Sequence, residues 1–311
     1  MINRQLIRLK ALQVFYAYVV DGQKTPAEAE KEYAVALERA HELYLYLLNF
    51  LVDIRRQAEI TAGAIEARNE RLGLRIAASS AERVLADNKW LNELEANDEL
   101  QDYRSKHNDQ TDEEVATVRR LVKAFIESDT FQLYLKKEDR SPEADQEVVR
   151  RLYKTIVAAE DFESLLEERS IYWNDDKDII DTFVLKTIKR ITPGGGTEQP
   201  LLPAWGAEDD QEFAMLLLRE AIARRDETYR LVAESTNENW DIERVALMDV
   251  LIIQLALAEM LGVPQIPLSI TINEYINIAK CYSTPRSASY INATLDTLAK
   301  QLRQEGRLMK N

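Results

Sequence analysis

PLSITINEYINIA, residues 267 to 279, carries two periodicities at once. Leu268, Ile270 and Ile272 alternate with Ser269, Thr271 and Asn273, as they would on a half-buried strand. From Ile272 onward the apolar positions are Ile272, Tyr275, Ile276 and Ala279, the spacing of one helix face. Pro264 and Pro267 bar a central strand, and the neighbouring segments have a helical period, so the helix wins, with Ser269 as its expected cap. That choice makes the chain all-α. The polar pair Asn273-Glu274 then needs a place, and one reading has Asn273 capping or bridging helices inside a bundle, because a buried amide persists only when hydrogen-bonded.

Composition agrees with helices. The chain has 311 residues, 46% of them hydrophobic but only 9 Gly and 8 Pro, with Ala, Leu, Glu and Arg prominent. A chain of this length suffices for one large or two ordinary domains and buries roughly 70 to 75% of its unfolded surface. A single cysteine, Cys281, rules out a disulfide framework. The start of the chain lacks a small-residue cleavage site, and no apolar run approaches the ~18 residues of a membrane span. The expectation is a soluble, cytoplasmic protein.

The net charge of −14 is unevenly spread. Residues 1 to 20 hold Arg4, Arg8 and Lys10 and no acid, a local +3, and residues 275 to 311 carry a local +4, which leaves −21 for the remainder. Segment 21 to 200 has 38 acidic against 26 basic residues. Basic ends that meet in the fold form a positive patch hidden by the global figure, whereas scattered solvated faces produce the same count with no patch. If the patch binds an anion, the acidic segment is expected to lie away from it or to dock through apolar stripes such as LYLYLLNFLVDI (43 to 54), leaving Arg4, Arg8 and Arg286 exposed on a common face.

Helical patterns run almost throughout. The first spans 3 to 20 and ends at Asp21-Gly22, and Thr25-Pro26 opens the next, which continues through LYLYLLNFLVDI (43 to 54). Residues 60 to 112 are polar and weakly periodic, and NDQTDEE (108 to 114) reads as a loop and helix start. Further helices are expected at 113 to 137, 143 to 158, 160 to 170, 176 to 191, 209 to 234, 240 to 261, 269 to 282 and 285 to 305. TPGGGTEQPLLPAWG, residues 192 to 206, is the clearest linker. It suggests an N-terminal part, 1 to 200, and a C-terminal helical domain, 206 to 311.

No catalytic constellation emerges, no cofactor is implied, and the expectation is a protein that is not an enzyme. Glu38 and His41 match half of a di-iron bundle motif, but Arg104 stands where the second copy before His107 needs a glutamate, so His41 reads as a surface histidine. Asn174 to Asp178 lacks the glycine and closing glutamate of a calcium loop and reads as a capped helix start. Gly194 to Gly196 follows no strand, and Cys281 reads as a buried small side chain.

ERVALMDVLIIQLALAEM (243 to 260) and PLSITINEYINIAKCYSTPRSASYINATLDTLAK (267 to 300) together resemble the NusB transcription antitermination family. The matching signatures are Asp249 to Glu259, Ile272-Asn273-Glu274 to Ala279-Lys280, and Ile291-Asn292 to Leu295-Asp296, in that order. EFAMLLLREAIARRDETYRLV (212 to 232) and RLKALQVFYAY (8 to 18) are similar to two further helices of the family. Four departures stand out: about 60 to 200 would be a large helical insertion, the first helix is poorer in arginine than is typical, Gln254 replaces an arginine, and Arg286 stands near where an acid is frequent.

The resemblance implies a pair of helical bundles that bind single-stranded boxA-type nascent RNA with the ribosomal protein NusE, inside the RNA polymerase antitermination complex and away from membranes. Its RNA surface would join the basic first helix to the turn before the last one. Arg4, Arg8 and Lys10 would then meet phosphates, and Arg286 and Ser287 would meet RNA at the last helix start. Tyr16 fits either a base stack or the core stripe. The alternative is a helical protein-interaction scaffold, in which the acidic insertion binds a protein partner and RNA binding is vestigial.

Overall fold

The computed structural model describes residues 1–74, 79–107, 109–137, 140–192, 199–235 and 245–308, with Pro285 described by its backbone alone. The centre of the glycine-rich linker, Asn108 and the first residues expected in the 240 to 261 helix lie outside these. Fifteen helices form among the described residues: α1 (Arg4–Asp21), α2 (Pro26–Arg71), α3 (Ala81–Ala86), α4 (Lys89–Glu95), α5 (Asp98–Lys106), α6 (Asp112–Ile126), α7 (Asp129–Leu135), α8 (Pro142–Val157), α9 (Glu160–Arg169), α10 (Lys177–Arg190), α11 (Asp210–Ala223), α12 (Arg225–Ser235), α13 (Leu247–Gly262), α14 (Leu268–Tyr282) and α15 (Pro285–Gln304). The fold is all-α, with a single isolated backbone pairing between Ile2 and Trp205. Among the described residues no helix is long and apolar enough to cross a membrane.

The chain divides into two compact units: Met1 with residues 39–204, and residues 2–38 with 205–311. Where the sequence suggests grouping 1 to 200, packing groups the first helix with the C-terminal ones, because α1 lies on α11 and α13.

The unit of residues 2–38 and 205–311 is built around α13. Val250 through Met260 are all buried, so this helix is enclosed on every side, and α1, α11, α12, α14 and α15 pack against it. Three polar residues inside α13 each find a partner, as buried polar groups must. Asp249 accepts from the Ser283 hydroxyl. Gln254 donates to the Arg225 carbonyl at 2.8 Å and to Thr228 Oγ1 at 3.1 Å. Glu259 accepts from Arg8, Thr271 and Tyr275. Gln254 thus satisfies its amide with neutral acceptors, where a guanidinium would bring a buried charge. The helix expected over 209 to 234 breaks at Arg224 into α11 and α12.

α14 settles the stretch quoted first. It starts at Leu268 behind Pro267, with no side-chain cap, so Ser269 does not cap it. Its buried face is Leu268, Thr271, Tyr275, Ile278 and Ala279, one residue round from the expected stripe. Asn273 is consequently exposed and bridges nothing inside the bundle. Where the chain enters α1, Gly206 donates to the Ile2 carbonyl at 2.8 Å, and a Cβ at 206 would lie 3.0 Å from that oxygen, so the close approach favours glycine.

The unit of residues 39–204 has its own core around Trp90, Tyr44, Phe50, Phe125, Phe131, Tyr153 and Phe162. Phe50 and Phe162 meet edge-on at 4.9 Å, and Tyr46 tilts against Trp173 at 5.0 Å. The weakly periodic region expected over 60 to 112 holds the end of α2 and the short helices α3 to α5, which open on Ser80, Asn88 and Asn97 as side-chain caps. Thr111 and Glu114 close a capping box at α6, and the helix expected over 113 to 137 stops at Glu127 and restarts behind the Ser128 cap. The far side of the linker is pinned: Leu201 and Leu202 are buried, and Leu202 N–H donates to the Tyr44 hydroxyl at 3.0 Å. His41 is half-buried and stacks on Tyr44 at 6.0 Å, so it is not the surface histidine expected.

Candidate nucleic-acid interface

All six residues expected to touch RNA belong to the unit of residues 2–38 and 205–311. Asn3 caps α1 by accepting from the Leu6 N–H at 2.9 Å, and Gly22, at φ 64°, ends it. Between these ends, Leu6 through Leu12 are buried without a gap. The basic helix is therefore not a solvated basic face.

Arg8 is 1% exposed. Its Nε and Nη2 donate to the two Glu259 oxygens at 2.7 and 2.8 Å, and Nη1 donates to the Arg4 carbonyl at 3.1 Å. Burial works against the charged guanidinium, but the hydrogen bond and charge of Glu259 outweigh it and hold the pKa of Arg8 above its ordinary value. Arg8 is therefore not exposed for phosphate contact as expected. A carboxylate within the apolar run of α13 needs a cation, and Arg8 supplies it. Lys10, also 1% exposed, likewise lies off the open surface, on the stretch of α1 that is covered all round.

The other four stand at or near the surface. Tyr16 is 39% exposed, so it is not a core residue. Arg286 is exposed and Ser287 half-buried in the first turn of α15, where Thr284 Oγ1 accepts from the Ser287 N–H at 3.2 Å. Gln13 Nε2 donates to the Tyr282 hydroxyl at 2.9 Å, which ties the second half of α1 to the end of α14. Tyr16 follows Gln13 by three residues, on the same side of the helix. Arg286 and Ser287 follow Tyr282 by four and five residues, across the turn into α15. Arg4 lies about 18 Å from Tyr16 along the α1 axis, taking the usual rise per residue.

Arg4 is held at its own end. Nη2 donates to Asp209 Oδ2 at 2.7 Å and Nε to Asp210 Oδ1 at 3.1 Å, while the guanidinium carbon sits 5.2 Å from the Phe213 ring centre. Arg8 also lies 5.2 Å from that ring centre. Sequence reasoning passed over Gln13, Tyr282, Asp209 and Phe213, since an acidic pair at a helix start looks like ordinary capping and a glutamine in an apolar helix carries no motif. Cys281 is exposed beside this turn, because the rotated buried face of α14 leaves it outside, and is not the buried residue expected. Among the described residues no group of three or more His, Cys, Asp or Glu side chains could hold a metal ion.

The class defined by this geometry is an all-α bundle around an enclosed central helix, with a polar turn at one end of its first helix. Residues 202–300 match the model of the NusB family. The transcription antitermination protein NusB of Salinibacter ruber (strain DSM 13855 / M31) is 35% identical over 100 residues, which cover 32% of this chain and 62% of that protein. Its counterpart in Koribacter versatilis (strain Ellin345) is 38% identical over 98 residues, 32% of this chain and 66% of that protein. That of Natranaerobius thermophilus is 42% identical over 69 residues, 22% of this chain and 50% of that protein. The chain thus spans less than two thirds of the length of these relatives. No solved structure matches it.

Proposed function

We propose that this protein is a non-enzymatic, RNA-binding transcription antitermination factor that recognises boxA-type nascent RNA together with the ribosomal protein NusE, within the RNA polymerase antitermination complex. The observation that supports this reading is the Gln13–Tyr282 hydrogen bond, which ties the half of α1 that carries exposed Tyr16 to the end of α14, just before the turn leading to exposed Arg286 and half-buried Ser287. Arg286 supplies charge for a phosphate, Ser287 a hydroxyl, and Tyr16 a ring for an unstacked base. Arg4 extends the contact along α1. Arg8 acts from inside, by holding α1 on α13, and Lys10 is assigned the same indirect part.

Single-stranded boxA-type RNA, titrated with and without NusE at several salt concentrations, tests the reading. Tyr16→Ala should weaken binding by about 1–3 kcal/mol, as for a stacked base. Arg286→Ala should weaken it and flatten the salt dependence by a slope of about 0.7, one phosphate. Binding unaffected by either change would favour the scaffold reading, with the acidic segment as the partner surface.

A further inference from the structure

We propose that Asp209 is an internal competitor for RNA: it holds Arg4 in an ion pair that a phosphate must displace, and so sets the affinity at that end of α1. The inference rests on the RNA-binding reading above. It comes from the unequal roles of the two aspartates on Arg4. Asp210 is buried, and its Oδ2 accepts from the Ala207 N–H at 2.8 Å, closing the turn that enters α11. Its side chain belongs to the fold.

Asp209 differs. Its side chain is 66% exposed against 37% for Arg4, and although it stands at the N-cap position of α11 it makes no capping hydrogen bond. Only its backbone carbonyl serves the helix, accepting from the Phe213 N–H at 3.0 Å. Its carboxylate accepts from Arg4 Nη2 at 2.7 Å. Carboxylate and phosphate compete for the same guanidinium donors. An incoming phosphate that displaces Asp209 still finds Arg4 oriented, by Asp210 on one side and the Phe213 ring on the other.

The test uses the full chain and a labelled single-stranded boxA-type RNA, followed by fluorescence anisotropy over a series of potassium chloride concentrations. Exposed ion pairs are weak, so Asp209→Asn should tighten binding by about two- to fivefold. The gain should be greatest at low potassium chloride, where the Arg4–Asp209 pair is strongest, and shrink as salt screens that pair. The gain should vanish when Arg4→Ala is added, and Glu208→Gln, which removes a neighbouring charge with no part in the pair, should not reproduce it. Circular dichroism melting confirms that α11 is intact in each variant. An equal gain from Glu208→Gln, or one that survives Arg4→Ala, would overturn the competitor in favour of a general charge effect. If Arg286→Ala weakens binding while Asp209→Asn changes nothing, the competitor is wrong and the RNA reading stands. If no variant and not the parent protein binds the RNA, the RNA reading falls and the competitor with it.

Discussion

Arg8 shows how one side chain can move from a surface role to an interior one. Its bidentate pair with Glu259 has both members essentially out of water, and Thr271 and Tyr275 complete the carboxylate's hydrogen bonds. Removing one member strands the other charge, so Arg8→Ala should lower unfolding free energy by about 3–5 kcal/mol in a urea titration. Replacing both by apolar residues, as in Arg8→Met with Glu259→Leu, should recover most of the loss, because the stranded charge is gone. An Arg8→Ala variant as stable as the parent would show that the pair is not closed to water. Gln254→Leu should cost about 1–3 kcal/mol by removing a hydrogen bond from both the Arg225 carbonyl and Thr228 Oγ1 and placing bulk beside Thr228.

Helices and their ends were the most legible level. The Asp21-Gly22 stop and the Thr25-Pro26 start both appear where local chemistry puts them, because a cap needs only residues within one turn. The burial of α2 was less legible. His41 lies on its half-buried side, where burial first and the chain's amino terminus second hold its pKa below the ordinary value. The unfolded chain takes up the proton near the normal histidine value, and the folded chain only at lower pH. Stability from neutral His41 is therefore complete above the unfolded pKa and declines as pH falls through the window between the two values. Denaturation midpoints measured at pH 7.5 and 5.5 should separate less in His41→Phe than in the parent. Equal separation would place the slope on other groups.

Each unit carries its own core and its own charge. Residues 39–204 hold 33 acidic and 24 basic residues, so most of the chain's net −14 resides there, while the basic ends sit in the other unit. Replacing 39–204 by a flexible linker of about 15 residues, with a root-mean-square span of about 20 Å, should leave a folded helical unit by circular dichroism. That shortened chain should bind non-specific single-stranded RNA more tightly than the full one, because nine net negative charges have been removed. A linker variant that unfolds would show that the unit of residues 2–38 and 205–311 depends on the other.

The amino-acid sequence determined the all-α class, most helix limits and the NusB resemblance of the C-terminal helices, because these depend on periodicity and on capping within a few residues. It left open which face each helix buries. Arg8 and Glu259 are 251 residues apart, and nothing local to either marks the other as its partner. The same holds for Gln13 with Tyr282, 269 residues away, and for Arg4 with Asp209, 205 away. α13 is apolar all round, so periodicity cannot aim its polar residues. On α14 a rotation of one residue exposes Asn273 and Cys281 and buries Thr271 against Glu259. Burial and charge pairing are set by what packs from elsewhere in the chain, which only the folded bundle brings together.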